Sequence, residues 1–505
     1  MRKKRQIIIN AIMSVLQVIG VTTILFILYR FLLKTIGIQQ LGIWSLVLAT
    51  ATATQVANLG FSGSVVKFVA KYIAQEQNEK ASAVIQTAAL SIAIFLAFVL
   101  SIGYPIAKWV LGLIVADSFL PASVAILPYA FFALWVMVIT NVFYASLDGC
   151  QRIDLRCLLI LGGSMTNLLA CFILAPIYGL MGVAYARVAQ NVMMFILSWI
   201  LLKRYFPLLP SFPYKWSRNI FNEIIGYGIN FQTISVSAMF YDPITKALLS
   251  KFGGLSMVGY YEMASRIIMQ LRAVLISANQ AIVPAIAGLE ERLPKEIRSI
   301  YLSSYQLIFY LSLPLFSLII IATPVISQLW IGHYEQIFVV FTILLGIGWF
   351  LTTLAGPAYF TNLGTGELRW NVIGHVVIAV LNAGLGFLLG MLYNGIGVVV
   401  AWILSLSLGS SLIYISYHIR HKLPFMELIP KTSRKIIGAC LIATLSAFII
   451  HTQLNYVPNP APLIGLLILS SSIVIFVPFW RHPMRKRLAG WITDEILNRR
   501  VDPHT

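Results

Sequence analysis

Long runs of apolar residues alternate with short polar connections along almost the whole chain. A helix needs about 20 apolar residues to cross the hydrocarbon core of a bilayer. Helices are the expected spanning elements because their backbone groups are all paired within one segment. The pattern predicts an all-α, multi-pass membrane protein with about fourteen spans, at residues 8–32, 41–64, 84–105, 122–146, 156–177, 180–202, 226–249, 255–287, 299–323, 336–360, 370–391, 394–418, 434–452 and 461–480.

The amino-acid composition excludes an ordinary soluble protein. Hydrophobic residues make up 59% of the 505 residues, charged residues make up only 10%, and the mean hydropathy is +0.86. Soluble proteins carry about 25% charged residues. The first apolar run is too long for a cleavable signal peptide, so we expect a retained first helix. The four cysteines lack pairing or metal-like spacing and are expected to pack between helices.

The chain also repeats itself. Residues of about 8–205 recur in register at about 226–420, and five residues of the first copy return 215 positions later: Gly149, Asn167, Tyr178, Gly182 and Ala186 as Gly364, Asn382, Tyr393, Gly397 and Ala401. Nearer the start, Gly42–Trp44 faces Gly259–Tyr261 at an offset of 217. An ordered series of this kind is typical of duplicated transporter folds.

This repeat predicts the domain organisation. Residues 1–205 form a six-helix lobe, residues 206–225 a cytoplasmic linker, and residues 226–420 a second six-helix lobe. Because six is even, the lobes are expected to be related by a pseudo-twofold axis along the membrane normal, with a cavity between them. The linker is either a helix lying in the membrane interface or the start of span seven. Two additional helices at 421–480 and a basic tail at 481–505 follow the repeat.

The net charge of +19 follows topology. In a soluble protein it would suggest nucleic acid, but here Lys and Arg concentrate at both ends and in alternate connections. The positive-inside rule therefore predicts that both termini are cytoplasmic. Because this topology accounts for the charge, we expect no binding of nucleic acid. The chain contains no phosphate-binding loop, zinc motif or nucleophile elbow. We therefore expect a transporter without a cofactor, driven by an ion gradient, by the membrane potential or by the substrate gradient, rather than an enzyme.

Charged residues inside predicted spans are the candidate functional residues, because a charge at mid-membrane costs at least about 2.5–3.5 kcal/mol. Five are cations and two are anions: Arg30, Arg187, Lys246, Arg266 and Arg272, with Asp242 and Glu262. The positive excess predicts a cationic cavity and an anionic cargo. Guanidinium groups suit phosphate and diphosphate through bidentate bonds.

The two acids each precede a base by four residues, as Asp242 with Lys246 and Glu262 with Arg266. Such pairs either neutralise each other to permit insertion or take part in coupling or gating. Pro243 removes a helical hydrogen bond, and a kink beside the charge is expected there.

Three of the cations have no partner on their own helix. Arg187 shares a polar face with Gln190, Asn191 and Ser198, and Arg272 lies on the stripe that holds Glu262. Arg30 either joins the cavity or snorkels to the headgroups. His375 is either a proton carrier or a neutral, hydrogen-bonded packing residue.

Several short segments carry a family resemblance: Leu41–Leu46, Asn58–Gly63, Val65–Val69, Tyr178–Ala184 and Gly259–Ala264. They resemble polysaccharide flippases of the multidrug/oligosaccharidyl-lipid/polysaccharide exporter superfamily. This resemblance implies a MATE-like fold, alternating access, and flipping of undecaprenyl-pyrophosphate-linked repeat units for O-antigen of lipopolysaccharide or for exopolysaccharide. It also implies location in the bacterial inner membrane, with basic residues such as Arg187, Lys246, Arg266 and Arg272 facing the cargo. Coupling to protons or sodium and association with glycan polymerases are further expectations.

Other functions remain open from the sequence. The two extra C-terminal spans resemble fourteen-helix members such as lipid II flippases. A cation-coupled multidrug antiporter would share the fold, but exporters of organic cations need acids in the cavity. A membrane glycan polymerase or ligase is a distant alternative, since such enzymes usually carry long external loops with catalytic residues, and the outer loops here are short.

Overall fold

The computed structural model describes residues 2–52, 61–206, 208–210, 212–225, 240–280, 294–424, 429, 433–453 and 461–487. All regular secondary structure in these ranges is helical. The first seven helices are α1 (Arg2–Thr35), α2 (Gly37–Thr52), α3 (Phe61–Ala74), α4 (Asn78–Ile114), α5 (Leu120–Gly149), α6 (Ile153–Tyr178) and α7 (Leu180–Tyr205). The next seven are α8 (Tyr241–Gln280), α9 (Pro294–Trp330), α10 (Gln336–Leu354), α11 (Gly356–Thr365), α12 (Arg369–Arg420), α13 (Arg434–Gln453) and α14 (Ala461–Arg481).

The predicted all-α, multi-pass class is confirmed. Within the described residues, each predicted span overlaps a helix; spans seven and eight fall in the two parts of α8, and spans eleven and twelve in the two parts of α12. Within the described ranges, eight helical stretches are long and apolar enough to cross a membrane. That number is below fourteen partly because α12 counts once and because residues 53–60 between α2 and α3 lie outside the description. The first part of span seven, 226–239, and the tail beyond residue 487 also lie outside it.

The backbone repeats at the offset that the sequence predicts. Between α6 and α7 the chain turns at Gly179 with φ 56° and ψ −131°, and 215 positions later α12 is interrupted at Asn394 with φ 55° and ψ −146°. Glycine and asparagine are the residues that tolerate positive φ best. Three residues after each turn a glycine is required, because a Cβ at Gly182 or Gly397 would lie 2.1 or 2.0 Å from the carbonyl oxygen of Leu174 or Leu389.

A second repeated feature is the crossing of α2 and α8. A Cβ on Gly42 would lie 1.9 Å from the carbonyl oxygen of Leu255, and a Cβ on Gly259 would lie 2.7 Å from that of Ile38. Both glycines and both carbonyls are separated by 217 positions. Gly42 therefore contacts the carbonyl of Leu255, and their counterparts in the other copy, Gly259 and Ile38, contact each other in the same way, as at a twofold interface. This local geometry supports the predicted duplication.

The chain divides into two compact units. The first contains Met1–Met263 and Ala379–Ala401, and the second contains Ala264–Ile378 and Trp402–Thr505. The second unit has two apolar cores, one in which Tyr310 and Phe479 stack at 4.3 Å and another around Tyr301 and Tyr417. The division into two six-helix lobes remains a prediction.

The linker packs on α3 and α4 of the first unit. The buried Gln86 side chain accepts hydrogen bonds from the backbone N–H groups of Tyr214 and Lys215, each at 3.2 Å. Glu223, in the helical stretch 218–225, accepts one from Tyr72 at 2.8 Å. Burial and this hydrogen bond raise the pKa of Tyr72 to about 12, which keeps the phenol protonated as a donor. The exposed linker side chains include Trp216.

Candidate functional site

A polar cavity of about 500 Å³ lies within the first unit, between α3, α5, α6 and α7. Arg187, Gln190 and Asn191 of the polar stripe predicted on α7 line it, whereas Ser198, the fourth residue of that stripe, does not. Gly163 of α6 permits the close approach of α7, because a Cβ there would lie 2.9 Å from Cγ of Met194. All of the lining residues belong to the first unit, so the cavity lies between helices of that unit.

Three of the described residues that line this cavity are charged. Asp148, from the end of α5, forms an ion pair with Arg156 of α6, with 3.1 Å between Oδ1 and Nε. Arg187 donates from Nη1 to Oε1 of Gln190 at 2.8 Å, and Asn191 donates to the carbonyl oxygen of Ala133 at 2.9 Å. The described lining thus contains two guanidinium groups and one carboxylate.

Sequence reasoning missed Asp148 and Arg156 because Asp148 was assigned to a loop and Arg156 to the first position of a predicted span. The helices extend further than predicted, since α5 ends at Gly149 and α6 begins at Ile153. The signal was their spacing of eight residues around this short turn. Such a spacing allows side chains on two antiparallel helices to meet.

A second cluster, in α1, α2 and α8, surrounds Glu262. Its Oε2 lies 2.7 Å from Nζ of Lys246 and accepts a hydrogen bond from Ser45 at 2.8 Å, while Oε1 accepts one from Tyr29 at 3.0 Å. Lys246 also pairs with Asp242, with 2.6 Å between Nζ and Oδ2. The side chains of Lys246 and Glu262 are each only 5% exposed, whereas that of Asp242 is 47% exposed.

This network lies at the reciprocal crossing of α2 and α8. Ser45 and Glu262 are themselves 217 positions apart, so they occupy equivalent positions in the two copies of the repeat. The sequence contained this signal, because Gly42–Trp44 aligns with Gly259–Tyr261 and the very next positions are Ser45 and Glu262. The Lys246–Glu262 contact was not predicted, since i,i+4 spacing had assigned Glu262 to Arg266.

Pro243 is the third residue of the described part of α8. Proline in a first helical turn removes no hydrogen bond that the helix needs. The non-helical position within α8 is Gly254, with φ 79° and ψ 170°. Residues 226–239 lie outside the description, so a kink at Pro243 remains a prediction.

The third cluster, in the second unit, surrounds Arg272. Its guanidinium carbon lies 4.2 Å above the ring of Trp349, and Trp349 meets the ring of Trp402 at 6.1 Å. His375 is half-buried and lies edge-on to Tyr359, with ring centroids 5.7 Å apart. Arg272 also lies within electrostatic range of Tyr359 and His375, and sequence spacing did not reveal this grouping.

The remaining two candidate cations have exposed side chains, Arg30 on α1 and Arg266 on α8. Neither lines the cavity that contains Arg187. No group of three or more His, Cys, Asp or Glu residues able to hold a metal ion was found among the described residues.

Comparison with known proteins identifies related chains. The model of a family described as polysaccharide biosynthesis protein matches residues 7–290. No curated protein matches the chain.

Three solved structures illustrate the fold. The lipid II flippase MurJ in an inward closed conformation has a TM-score of 0.72 at 13% identity, covering 94% of this chain and 99% of that one. An inward-facing multidrug resistance MATE transporter of the MOP superfamily has a TM-score of 0.70 at 17% identity, covering 79% and 94%. A MOP superfamily transporter from Pyrococcus furiosus, described as having a binding pocket of reverse polarity, has a TM-score of 0.61 at 16% identity, covering 82% and 95%. The predicted MATE-like fold is confirmed.

Proposed function

The chain belongs to the polysaccharide biosynthesis protein family, whose model matches residues 7–290, and we propose that it is a flippase for a lipid-linked oligosaccharide. The cargo is an undecaprenyl-diphosphate-linked repeat unit of O-antigen or exopolysaccharide. The protein works in the bacterial cytoplasmic membrane with both termini in the cytoplasm. Family membership and the transporter fold support transport rather than catalysis.

The observation that carries the proposal is the cationic cavity around Arg187. Among the described residues that line it, two are basic, Arg156 and Arg187, and one is acidic, Asp148, which forms an ion pair with Arg156 at 3.1 Å. A diphosphate would bind such a basic lining through charge-assisted hydrogen bonds. The lipid tail would stay in the bilayer while the polar head passes through the protein.

The Glu262 network supports a role in gating. Under the predicted topology, the crossing of α2 and α8 lies toward the outer side of the membrane. Alternating access requires such a crossing to open, and the bonds from Tyr29, Ser45 and Lys246 to Glu262 would then break together. Asp242, which is half-exposed, is the partner best placed to exchange protons or sodium. This gating step requires neither proton transfer by His375 nor association with glycan polymerases.

An antiporter for cationic drugs is disfavoured by the same charges. A cationic substrate would be repelled by an excess of arginine in the cavity and would need an unpaired acid to bind. A lipid II-type flippase is the second candidate, because the chain shares its fold with the lipid II flippase MurJ.

The test is deletion of the gene followed by lipid extraction. We expect lipid-linked oligosaccharide to accumulate on the cytoplasmic face and surface glycan to be lost. The intact gene should restore both, Arg187→Ala should not, and Arg187→Lys should restore them in part because it keeps the charge without the planar fork. Arg204→Ala is the matched control, since Arg204 is an exposed arginine at the end of the same helix.

Unchanged glycan in the deletion strain, together with altered sensitivity to cationic drugs, would replace the flippase with an antiporter. Accumulation of the lipid on the outer face would indicate a polymerase or ligase instead. Normal export with Arg187→Ala would remove Arg187 from the transport path.

A further inference from the structure

The linker carries three large aromatic side chains that the fold leaves exposed. Phe212 is 81% exposed, Tyr214 is 67% exposed and Trp216 is 51% exposed. They occur at every second position, and residues 213–217 lie outside any helix. A contiguous exposed apolar surface marks contact with a membrane or with another protein. This row of aromatic rings therefore requires a partner that covers it.

Hydrogen bonds to α4 fix the backbone that carries this row. The side chain of Gln86 accepts from the N–H groups of Tyr214 and Lys215, each at 3.2 Å. Oγ1 of Thr87 accepts from the N–H of Ser217, also at 3.2 Å. The exposed rings are therefore carried by a backbone that is bonded to a membrane helix.

The exposed surface of α4 shows where the bilayer begins. Its large exposed apolar side chains form a stripe with helical spacing, which includes Ile94, Phe98, Ile102, Ile106, Trp109 and Leu113. At about 1.5 Å per residue, the stripe is about 29 Å long. This length matches the hydrocarbon core of a bilayer, which is about 30 Å thick. Ile94 therefore marks one edge of the hydrocarbon core.

Trp216 lies just outside that edge. Its Nε1 donates a hydrogen bond to Oγ of Ser91 at 3.0 Å. Ser91 precedes Ile94 by three positions of α4, which is about 4.5 Å along the helix axis. Tryptophan is enriched at this depth of a membrane because its ring is apolar and its N–H is polar. The aromatic row therefore lies at the level of the lipid headgroups.

The exposed charges of the linker are basic. Lys215 lies within the aromatic row and Arg218 follows it, and both side chains are exposed. The one acidic residue of the linker, Glu223, is bound to α3, where it pairs with Lys71 at 3.3 Å and accepts a hydrogen bond from Tyr72 at 2.8 Å. Basic side chains at a membrane surface attract anionic lipids.

We propose that the linker is a docking site for anionic phospholipid, formed by a lipid patch of Phe212, Tyr214, Lys215, Trp216 and Arg218. The aromatic rings enter the boundary between headgroups and acyl chains, and the two cations bind the lipid phosphates. Lipid is the partner that the geometry favours over a protein, because the patch lies beside the edge of the apolar stripe on α4. The site does not depend on which cargo the protein transports.

The test is fluorescence quenching at the linker, with the full chain in nanodiscs that contain phosphatidylglycerol and phosphatidylcholine, one of them brominated. The label is attached to Tyr214→Cys, in a Cys150→Ser background because Cys150 is half-buried and the other three cysteines are buried. We expect quenching by both brominated lipids. The preference for phosphatidylglycerol should be at least about fivefold, the effect of one basic residue near an anionic surface.

Matched variants separate the charges from the depth. Lys215→Gln combined with Arg218→Gln should abolish the preference and retain the quenching, and salt at about 1 M should do the same by screening the charges. Lys251→Gln, at an exposed lysine of α8, should leave the preference unchanged. A label on Glu79→Cys, an exposed residue in the first turn of α4, should be quenched by aqueous iodide and by neither lipid.

Quenching of the Tyr214→Cys label by iodide but by neither lipid would overturn the docking site. Protection from iodide and from both lipids would also overturn it, and would assign the patch to a protein partner or a second copy of this chain. Equal quenching by the two lipids, or a preference that survives the paired substitution of Lys215 and Arg218, would remove the anionic site. All variants should first match the unlabelled protein in gel filtration. No cargo is present in this experiment, so its outcome is independent of the deletion strain that tests the proposed function.

Discussion

Replacing Lys246 should be more damaging than replacing its partner Glu262. In Lys246→Met, a carboxylate that is 5% exposed loses the ammonium group of Lys246 and keeps the hydroxyl donors of Tyr29 and Ser45. Removing one partner of a buried ion pair costs about 3–5 kcal/mol. Because two donors remain on Glu262, we expect the lower end of that range, about 3 kcal/mol.

In Glu262→Gln, the charged side chain that remains is Lys246. It keeps its ion pair with Asp242, with 2.6 Å between Nζ and Oδ2, and Asp242 is partly solvated. No buried charge is left without a partner, so the expected loss is about 1–2 kcal/mol, the scale of a hydrogen bond to a charged group. The double variant should lose at least about 1 kcal/mol less than the sum of the single losses, since the two residues share one network.

The assay is denaturant unfolding of the purified full chain in mixed micelles, with Lys251→Met as control because Lys251 is an exposed lysine of the same helix. A larger loss of stability for Glu262→Gln than for Lys246→Met, or strict additivity in the double variant, would refute this reasoning.

The same variants distinguish a gating role of the buried ion pair from mutual neutralisation of its charges. Glu262→Gln with near-normal stability and abolished export indicates gating, whereas loss of export only in proportion to loss of folded protein indicates neutralisation.

Two other substitutions probe the packing of the first unit. Gly42→Val should prevent the close crossing of α2 and α8, because even a Cβ would lie 1.9 Å from the carbonyl oxygen of Leu255. The yield of folded protein in gel filtration should fall sharply. Gly112→Val should give the wild-type yield, because a Cβ on Gly112 meets nothing within 4 Å. Gln86→Leu removes the acceptor of two N–H groups in the exposed part of the linker, at a cost of about 0.5–1.5 kcal/mol for each hydrogen bond, and should make the linker more sensitive to protease. Ser91→Ala, which removes only a hydrogen bond from the exposed Trp216, should have a smaller effect.

Periodicity and repetition were sufficient to predict the helices and the duplicated backbone. The turns at Gly179 and Asn394, and the close approaches at Gly182 and Gly397, all follow the 215-residue offset. These features are local, since they depend on how a few successive residues permit positive φ or close packing. A single sequence contains that information directly.

The contacts that define the candidate sites are not local. Arg272 and Trp349 are 77 positions apart, and their stacking at 4.2 Å depends on how α8 and α10 pack. The ion pair of Asp148 and Arg156 was missed because Asp148 was assigned to a loop and Arg156 to the first position of a predicted span. Spacing within one helix also favoured Arg266 as the partner of Glu262, while the fold brings in Lys246 across the kink at Gly254.

Reconstitution into vesicles tests directly whether this chain moves a lipid-linked glycan. The purified protein would be placed in liposomes that contain a fluorescent lipid-linked oligosaccharide diphosphate, and a membrane-impermeant reagent would report how much probe reaches the opposite leaflet. We predict rapid translocation with the wild type and with Arg204→Ala, and little with Arg187→Ala. Folded wild-type protein that leaves the probe in its original leaflet, under both imposed proton and sodium gradients, would contradict the flippase assignment.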